Sequence, residues 1–297
     1  MKIKTFIISA ITLFISLYLI IGYHSLKHID KNRIDVSKYI TLVDEVSENK
    51  VQVNWKYVVS IIAVENKNKI KNISDDKIKN TANLFIEKSD NGYKLNSLDD
   101  VLNKLNFTDK EKERVNDYID QLKYFGLTPY RLKEDSKYTK FIEEIKDEAI
   151  KNYKEYKILP SITIAQAILE SSWGESDLAQ IYNNLFGIKA DSSWKGEYVT
   201  LETFEFYDTK IEDKFRVYSN KNQSIKDHAK FLVDNQRYKK YGVFEAKTYI
   251  EQAYALQNAG YSTAEDNSGQ KRYAKDLIEL IRQYNLQLID SEIKISD

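Results

Sequence analysis

The run Leu159-Pro160-Ser161-Ile162-Thr163-Ile164-Ala165-Gln166-Ala167-Ile168-Leu169-Glu170-Ser171-Ser172-Trp173-Gly174 restricts the fold more than any other part of the chain. Pro160 ends whatever precedes it, and Ser161 is placed to N-cap a new helix. From Ile162 the residues are almost wholly apolar, with Ile164 and Ile168, and Ala165 and Leu169, one turn apart. A helix this apolar has to be buried. Thr163, Gln166 and Glu170 interrupt it along one stripe, because they are three and four residues apart. Trp173-Gly174 then stops the helix. The pattern places a carboxylate at the end of a buried helix beside a Trp, where desolvation raises its pKa as a general acid near neutral pH requires. The same spacing also fits a helix end emerging into water with Glu170 solvated.

With 297 residues the chain holds one large domain or two small ones. Lys and Arg balance Asp and Glu at 45 each, so no overall field favours nucleic acid. The absence of cysteine excludes disulfides, thiol nucleophiles and cysteine metal sites. Three histidines are too few for an ordinary zinc hydrolase, and neither metal nor organic cofactor is implied. His24 and His28 read as solvated residues next to a membrane, His228 as a surface or satisfied structural residue. Two prolines and nine glycines point to a mostly helical protein.

Lys2 and Lys4 precede about eighteen mainly apolar residues, 6–23, at the border between a spanning helix and a signal-peptide core. No small-x-small cleavage pattern follows. Residues 1–30 are therefore expected to be an uncleaved single-pass anchor with the body outside the cell, facing the wall. Removal as a signal, giving a secreted protein, is the alternative. Lys27, Lys31 and Arg33 flank the far side, so the positive-inside rule orients the segment only weakly. Residues 31–47 read as a polar stalk. Residues 48–130 read as a small all-helical module, with an apolar helix at 55–66 and helix starts at Ser74, Ser97 and Thr108. Asp100 and Glu111 complete the pattern of capping boxes, and Gly126 is placed as a C-cap. The module is expected to act as a spacer or to dock envelope proteins, with Glu65 in a structural role. A break near residues 128–136 precedes a second domain, 136–290. It opens with a helix on which Phe141, Ile145, Ala149 and Tyr153 recur every four residues and pack on the Glu170 helix.

Beyond Gly174 comes Asn183-Asn184-Leu185-Phe186-Gly187-Ile188-Lys189. This is either a connection held by Asn turns or a loop for an N-acetylated sugar, whose amide needs hydrogen bonds and whose methyl needs an apolar contact. Residues 194–207 alternate as a strand, and a second strand at 214–218 completes a hairpin. Leu201, Thr203, Glu205 and Tyr207 share one face; Glu202, Phe204 and Phe206 share the other. Helical patterns resume at Ser224, at 249–257 and at 273–284, the last as the closing helix.

The segments at 158–161, 165–171, 173–174 and 183–189 together closely resemble the glucosaminidase family of bacterial cell-wall hydrolases. This is the flagellar-muramidase and autolysin type, glycoside hydrolase family 73, within the lysozyme-like superfamily. The resemblance covers about residues 138–288. It implies a mostly α, α+β fold: a lysozyme-like helical domain with a small β-hairpin lobe, here behind an N-terminal transmembrane helix and a small all-helical module. It further implies cleavage of peptidoglycan glycan strands after N-acetylglucosamine. Glu170 would be the general acid, and Glu205 the second carboxylate that activates water or stabilises the oxocarbenium-like centre, with Glu202 as the fallback. Gln166, Trp173, Asn183, Asn184, Phe186 and Gly187 fall in the motifs that would meet substrate. Ala259-Gly260-Tyr261-Ser262-Thr263 resembles the family's late element, whose Tyr lines the cleft. The link of about eight residues, 264–271, before Arg272-Tyr273-Ala274 is longer than usual and leaves open whether Tyr261 or Tyr273 reaches the sugar. A muramidase or lytic transglycosylase, or a non-catalytic scaffold that only grips glycan, are the competing readings. The Lys-, Asn- and Ile-heavy composition accords with an exported Gram-positive protein.

Overall fold

The computed structural model describes residues 26–90, 92–205 and 209–296, with side chains except those of 203–211 and 294–296. The apolar segment 6–23 and His24 lie outside these residues. Among the described residues no helix is long and apolar enough to cross a membrane. The chain is mostly helical with two two-stranded sheets, and it divides into two compact units.

The first unit takes in the described part of 1–46 together with 54–87 and 96–125. It holds α1 (Val36–Ser47), α2 (Trp55–Glu65), α3 (Asp75–Asn83), α4 (Leu98–Lys104) and α5 (Asp109–Gln121). Its centre is α2, where Trp55, Val58, Val59, Ile61, Ile62 and Ala63 are buried and pack on α3 and α5. Asn54 caps α2 by accepting from the Lys56 amide at 2.9 Å. The Lys56 ammonium, stranded on an apolar helix, donates to the Lys123 carbonyl at 2.8 Å. Ser74, Ser97 and Thr108 are the N-caps of α3, α4 and α5, with capping boxes at the latter two. Glu65 pairs with Lys77 at 2.7 Å, a structural role.

Three expectations change here. Residues 31–47 are not a stalk, because α1 buries Tyr39, Ile40, Leu42, Val43 and Val46. Those residues sit three and four apart among polar neighbours that dilute the average hydropathy without breaking the stripe. The segment 48–130 is not all helical: β1 (Ile86–Ser89) and β2 (Gly92–Leu95) form a two-stranded sheet. The Asn91-Gly92 pair, a strong hairpin signal, marks it in the sequence, and Gly92 has φ +120°. Gly126 does not cap a helix, since α5 ends at Gln121 with Leu122 as its cap. Gly126 instead lets the chain pass close to Asn285, whose Nδ2 lies 2.3 Å from where a Cβ would stand.

The second unit comprises 47–53, 88–95 and the described residues from 126 onward. In order it contains α6 (Lys137–Tyr156), α7 (Pro160–Ser171), α8 (Asp177–Tyr182), β3 (Tyr198–Glu205), β4 (Thr209–Arg216), α9 (Lys221–Asp234), α10 (Gln236–Lys240), α11 (Tyr249–Asn258), α12 (Tyr273–Tyr284) and α13 (Gln287–Ser296). The apolar helix α7 lies among α6, α11, α12 and α13, and nine consecutive residues, 160–168, are buried. The Phe141, Ile145, Ala149 and Tyr153 stripe of α6 faces inward, as its period predicts, and α6 contacts α7 and α9.

The ends of α7 are satisfied by protein groups. Ser161 does not cap it: the helix starts at Pro160, whose missing N–H costs nothing at that position, and Leu159 offers no side-chain cap. The carboxylate of Asp290, on α13, accepts from the Ser161 amide at 3.0 Å and from its hydroxyl. An anion there also complements the positive end of the helix dipole. The Leu159 amide donates to Gln252 Oε1 at 2.7 Å. At the other end Ser172, Trp173 and Gly174 are all left-handed, with φ 51°, 66° and 73°. The Gly174 amide donates to Ser171 Oγ at 2.7 Å, and Ser171 donates to the Ala167 carbonyl.

β3 and β4 pair antiparallel in register from Tyr198 opposite Arg216 to Glu205 opposite Thr209. The second strand begins five residues earlier than the pattern suggested, because the charged run Thr209-Lys210-Ile211-Glu212-Asp213 shows little apolar alternation. α9 begins at Lys221, capped by Asn220, not at Ser224. Buried Ser224 instead accepts from the Leu185 amide at 3.0 Å. α12 is not the last helix, since α13 follows and carries Asp290.

Two outcomes test this frame. Asp290→Ala should lower stability by about 2 kcal/mol, since it strips a buried helix N-terminus of its acceptor; urea unfolding followed by circular dichroism checks it. Gly174→Ala should cost about 2 kcal/mol or more, because it combines a left-handed φ with a Cβ placed 2.7 Å from the Phe141 ring. Its urea midpoint, compared with that of Ala179→Gly in α8, separates the steric from the general helix effect.

Candidate active site

Glu170 stands in the last turn of α7, one residue before the helix unwinds. Leu169 and Glu170 are the first residues of the helix to meet solvent. The Glu170 carboxyl nevertheless has protein around most of its circumference, and this burial raises its pKa above the ordinary glutamate value. A hydrogen bond donated by the Tyr273 hydroxyl to Oε1, at 3.2 Å, works in the opposite direction. The negative end of the helix dipole disfavours a second negative charge at the same place.

Three of the residues named from sequence converge on this carboxyl. Gln166, one turn back on α7 and fully buried, donates from Nε2 to the Tyr273 hydroxyl at 2.9 Å. Tyr273, at the first turn of α12, stacks on Tyr261 with ring centroids 5.1 Å apart and planes 21° apart. Tyr261 in turn bonds His228 Nε2 at 3.1 Å, and the His228 ring stacks flat on Phe186 at 3.9 Å. Burial raises the pKa of both tyrosines and pushes His228 down to about 3, so all three are neutral at physiological pH. Tyr273 touches Glu170, and Tyr261 stacks behind it. The link of 264–271 is taken up by a small turn, with Glu265 bridged to Lys271 and Asp266 accepting from Ser268 and Gln270.

The remaining residues sit in the frame around this cluster. Trp173 turns its ring to Tyr138 and Tyr284, both at 4.6 Å, and to Phe141. Buried Asn184 donates to the carbonyls of Ile188 and Arg216 and accepts from the Ile188 amide, so it fastens the 183–189 loop to the end of β4. Asn183, left-handed at φ 54°, donates to the Tyr218 carbonyl. Gly187, at φ 62°, faces open space. Below the loop, Asp227 on α9 accepts from Arg216 and Tyr218, each at 2.7 Å. Glu202 is exposed on β3. Glu205 ends β3, and its side chain lies outside the described residues.

Of the two readings of His228, the structural one fits: it is buried at 1% exposure, although its Nδ1 meets no protein partner among the described residues. The signal was its position between Ile225, Ala229 and Leu232 on the apolar face of α9. Asp290 left no local signal, because its partner lies 129 residues away.

Residues 146–286 match the family model described as mannosyl-glycoprotein endo-beta-N-acetylglucosaminidase, the glucosaminidase domain. The chain is 44% identical over 156 residues to the exo-glucosaminidase LytG of Bacillus subtilis, a match that covers 50% of this chain and 52% of that protein. It is 43% identical over 104 residues to the peptidoglycan hydrolase FlgJ of Vibrio parahaemolyticus, covering 33% of this chain and 34% of that one. The chain thus spans about half the length of the first relative and about a third of the second. Among solved structures, the catalytic domain of the autolysin Auto from Listeria monocytogenes shares 32% identity, with 62% of this chain and 98% of that domain covered and a TM-score of 0.45. Residues 146–286 are thus a glucosaminidase domain.

Proposed function

We propose that this protein hydrolyses the glycan strands of peptidoglycan at the β-1,4 bond after N-acetylglucosamine. The observation that carries the reading is Glu170: a carboxyl whose pKa is raised by desolvation, in the last turn of a helix buried over residues 160–168, inside a glucosaminidase domain. The hydrolase names of the relatives give the substrate class.

In this reading Glu170, protonated, passes its proton to the glycosidic oxygen as the bond to the anomeric carbon breaks. Positive charge then develops on the sugar ring. Glu205, at the end of β3, stabilises that charge or activates the water that closes the reaction; Glu202 is the alternative on the same strand. A neighbouring acetamido group supplies a further route to the same stabilisation. The neutral wall of Tyr261, Tyr273 and His228 adds no charge that would compete with the acid. The apolar segment 6–23 is proposed as an uncleaved anchor that holds the body outside the membrane, facing the wall. The first unit is proposed as a spacer or docking surface for other envelope proteins.

The test is mass spectrometry of muropeptides released from purified peptidoglycan by the full chain, after borohydride reduction. Reduced N-acetylglucosamine ends are expected; reduced muramic ends or anhydro-muramic ends would reassign the bond. Glu170→Gln should lower release by about 10²- to 10⁴-fold while leaving wall binding intact. Release should also fall as pH rises, with a limb above the usual glutamate range, since the acid must be protonated to work. The same shift predicts a stability effect. A folded-state pKa above the unfolded one means that wild type loses stability as pH rises through that window. Glu170→Gln cannot ionise, so its Tm should exceed that of wild type at pH 7 and approach it at pH 4, as read by differential scanning calorimetry.

A further inference from the structure

Two hydrogen bonds meet at one oxygen beside the acid. The Tyr273 hydroxyl accepts from Gln166 Nε2 at 2.9 Å and donates to Glu170 Oε1 at 3.2 Å. A phenol has one proton, so a donor fixed on its oxygen decides where that proton goes. The reverse amide orientation would offer Gln166 Oε1 to the hydroxyl. The Tyr273 proton would then turn away, and its lone pairs would confront an ionised Glu170. The orientation present has a cost of its own: Gln166 Oε1, in a fully buried residue, meets no donor among the described residues. A buried polar atom left in that state asks for a reason.

We infer that Gln166 is a positioning residue for the acid. By occupying the Tyr273 oxygen, it commits the Tyr273 proton to Glu170 Oε1 and leaves Oε2 as the oxygen that carries the transferable proton. The inference rests on Glu170 being the general acid of the proposed reaction. It gives Gln166 a task with no direct contact to sugar, in keeping with its complete burial. The stack of Tyr261 on Tyr273 holds the ring that carries the hydroxyl, and His228 holds Tyr261. The groups that bear on the Glu170 carboxyl are thus Gln166 through Tyr273 on α12, and Tyr261 behind it. No charged side chain is ion-paired to Glu170 among the described residues.

The experiment compares wild type, Gln166→Met, Tyr273→Phe and the double variant, each as the full chain in detergent. Glutamate is labelled at the carboxyl carbon, and the Glu170 signal is identified as the one missing from Glu170→Gln. The titration midpoint of Glu170 should move upward in Tyr273→Phe, which removes the bond that favours the carboxylate, and by a smaller amount in Gln166→Met, which leaves the hydroxyl free to turn away from Oε1. The double variant should match Tyr273→Phe, since Gln166 acts only through that hydroxyl. In the pH profile of muropeptide release the alkaline limb should move the same way, with kcat/KM lower by about tenfold in each variant. An unmoved midpoint in Gln166→Met, or an additive shift in the double variant, overturns the inference. Gln166→Leu gives a second apolar replacement if methionine fails to pack. Because the midpoint is read without substrate, a wild type inert on peptidoglycan would sink the proposed function while a coupled shift still upheld the directed hydroxyl.

Discussion

A helix buried over its first nine residues has to have its ends satisfied by other parts of the chain, and α7 is that helix. Its first amides meet Asp290 and Gln252, which come from helices far later in the sequence. Its last turn closes through Ser171 and three successive left-handed residues. Orphan backbone groups in a buried setting are costly, so these contacts are conditions for packing α7 at all. Once they are met, Glu170 has no freedom of position. The helix delivers the carboxyl to the protein surface at a fixed height and angle.

The chemistry follows from that delivery. Moving a carboxyl part of the way out of water raises its pKa, and placing it at the negative end of a helix adds to the effect. Aromatic rings adjoin it, and among the described residues neither an ammonium nor a guanidinium pulls the value back. The single hydrogen bond from Tyr273 tempers the rise without supplying a charge. The left-handed run just past Glu170 is sterically expensive for Ser172 and Trp173, and the Trp173 ring is held by Tyr138, Phe141 and Tyr284. The strained backbone next to Glu170 is thus compensated by aromatic packing nearby.

Much of this was legible in the residues. The period of α7, the stripe of α6 and the serine and threonine caps of the first unit all express local rules, and the structure follows them. The place of Glu170 at the end of the apolar run was legible for the same reason, while the pattern left open whether it is packed or solvated, and only the resemblance favoured a catalytic part for it. What escaped was non-local or masked. Asp290 replaces Ser161 at the head of α7 across 129 residues, and no window of sequence contains both ends of that bond. Tyr39 to Val46 looked like a stalk because lysine, aspartate and glutamate dilute the stripe. His228 stayed open between surface and structural readings because one imidazole on an apolar face has no period of its own. The stack of Tyr261 on Tyr273 was not legible either, because it joins residues from separate elements.

That stacking has a consequence for how the site can vary. The two rings are clamped to each other, one by His228 and the other by Gln166 and Glu170, so the chain between them carries none of the alignment. Residues 263–272 are exposed, and lengthening such a loop costs only about 0.6 kcal/mol for each doubling. The connection is therefore a free parameter at the rim of the Glu170 cluster: its length and composition can drift or be redesigned to meet different neighbouring surfaces while the stacked tyrosines stay in place.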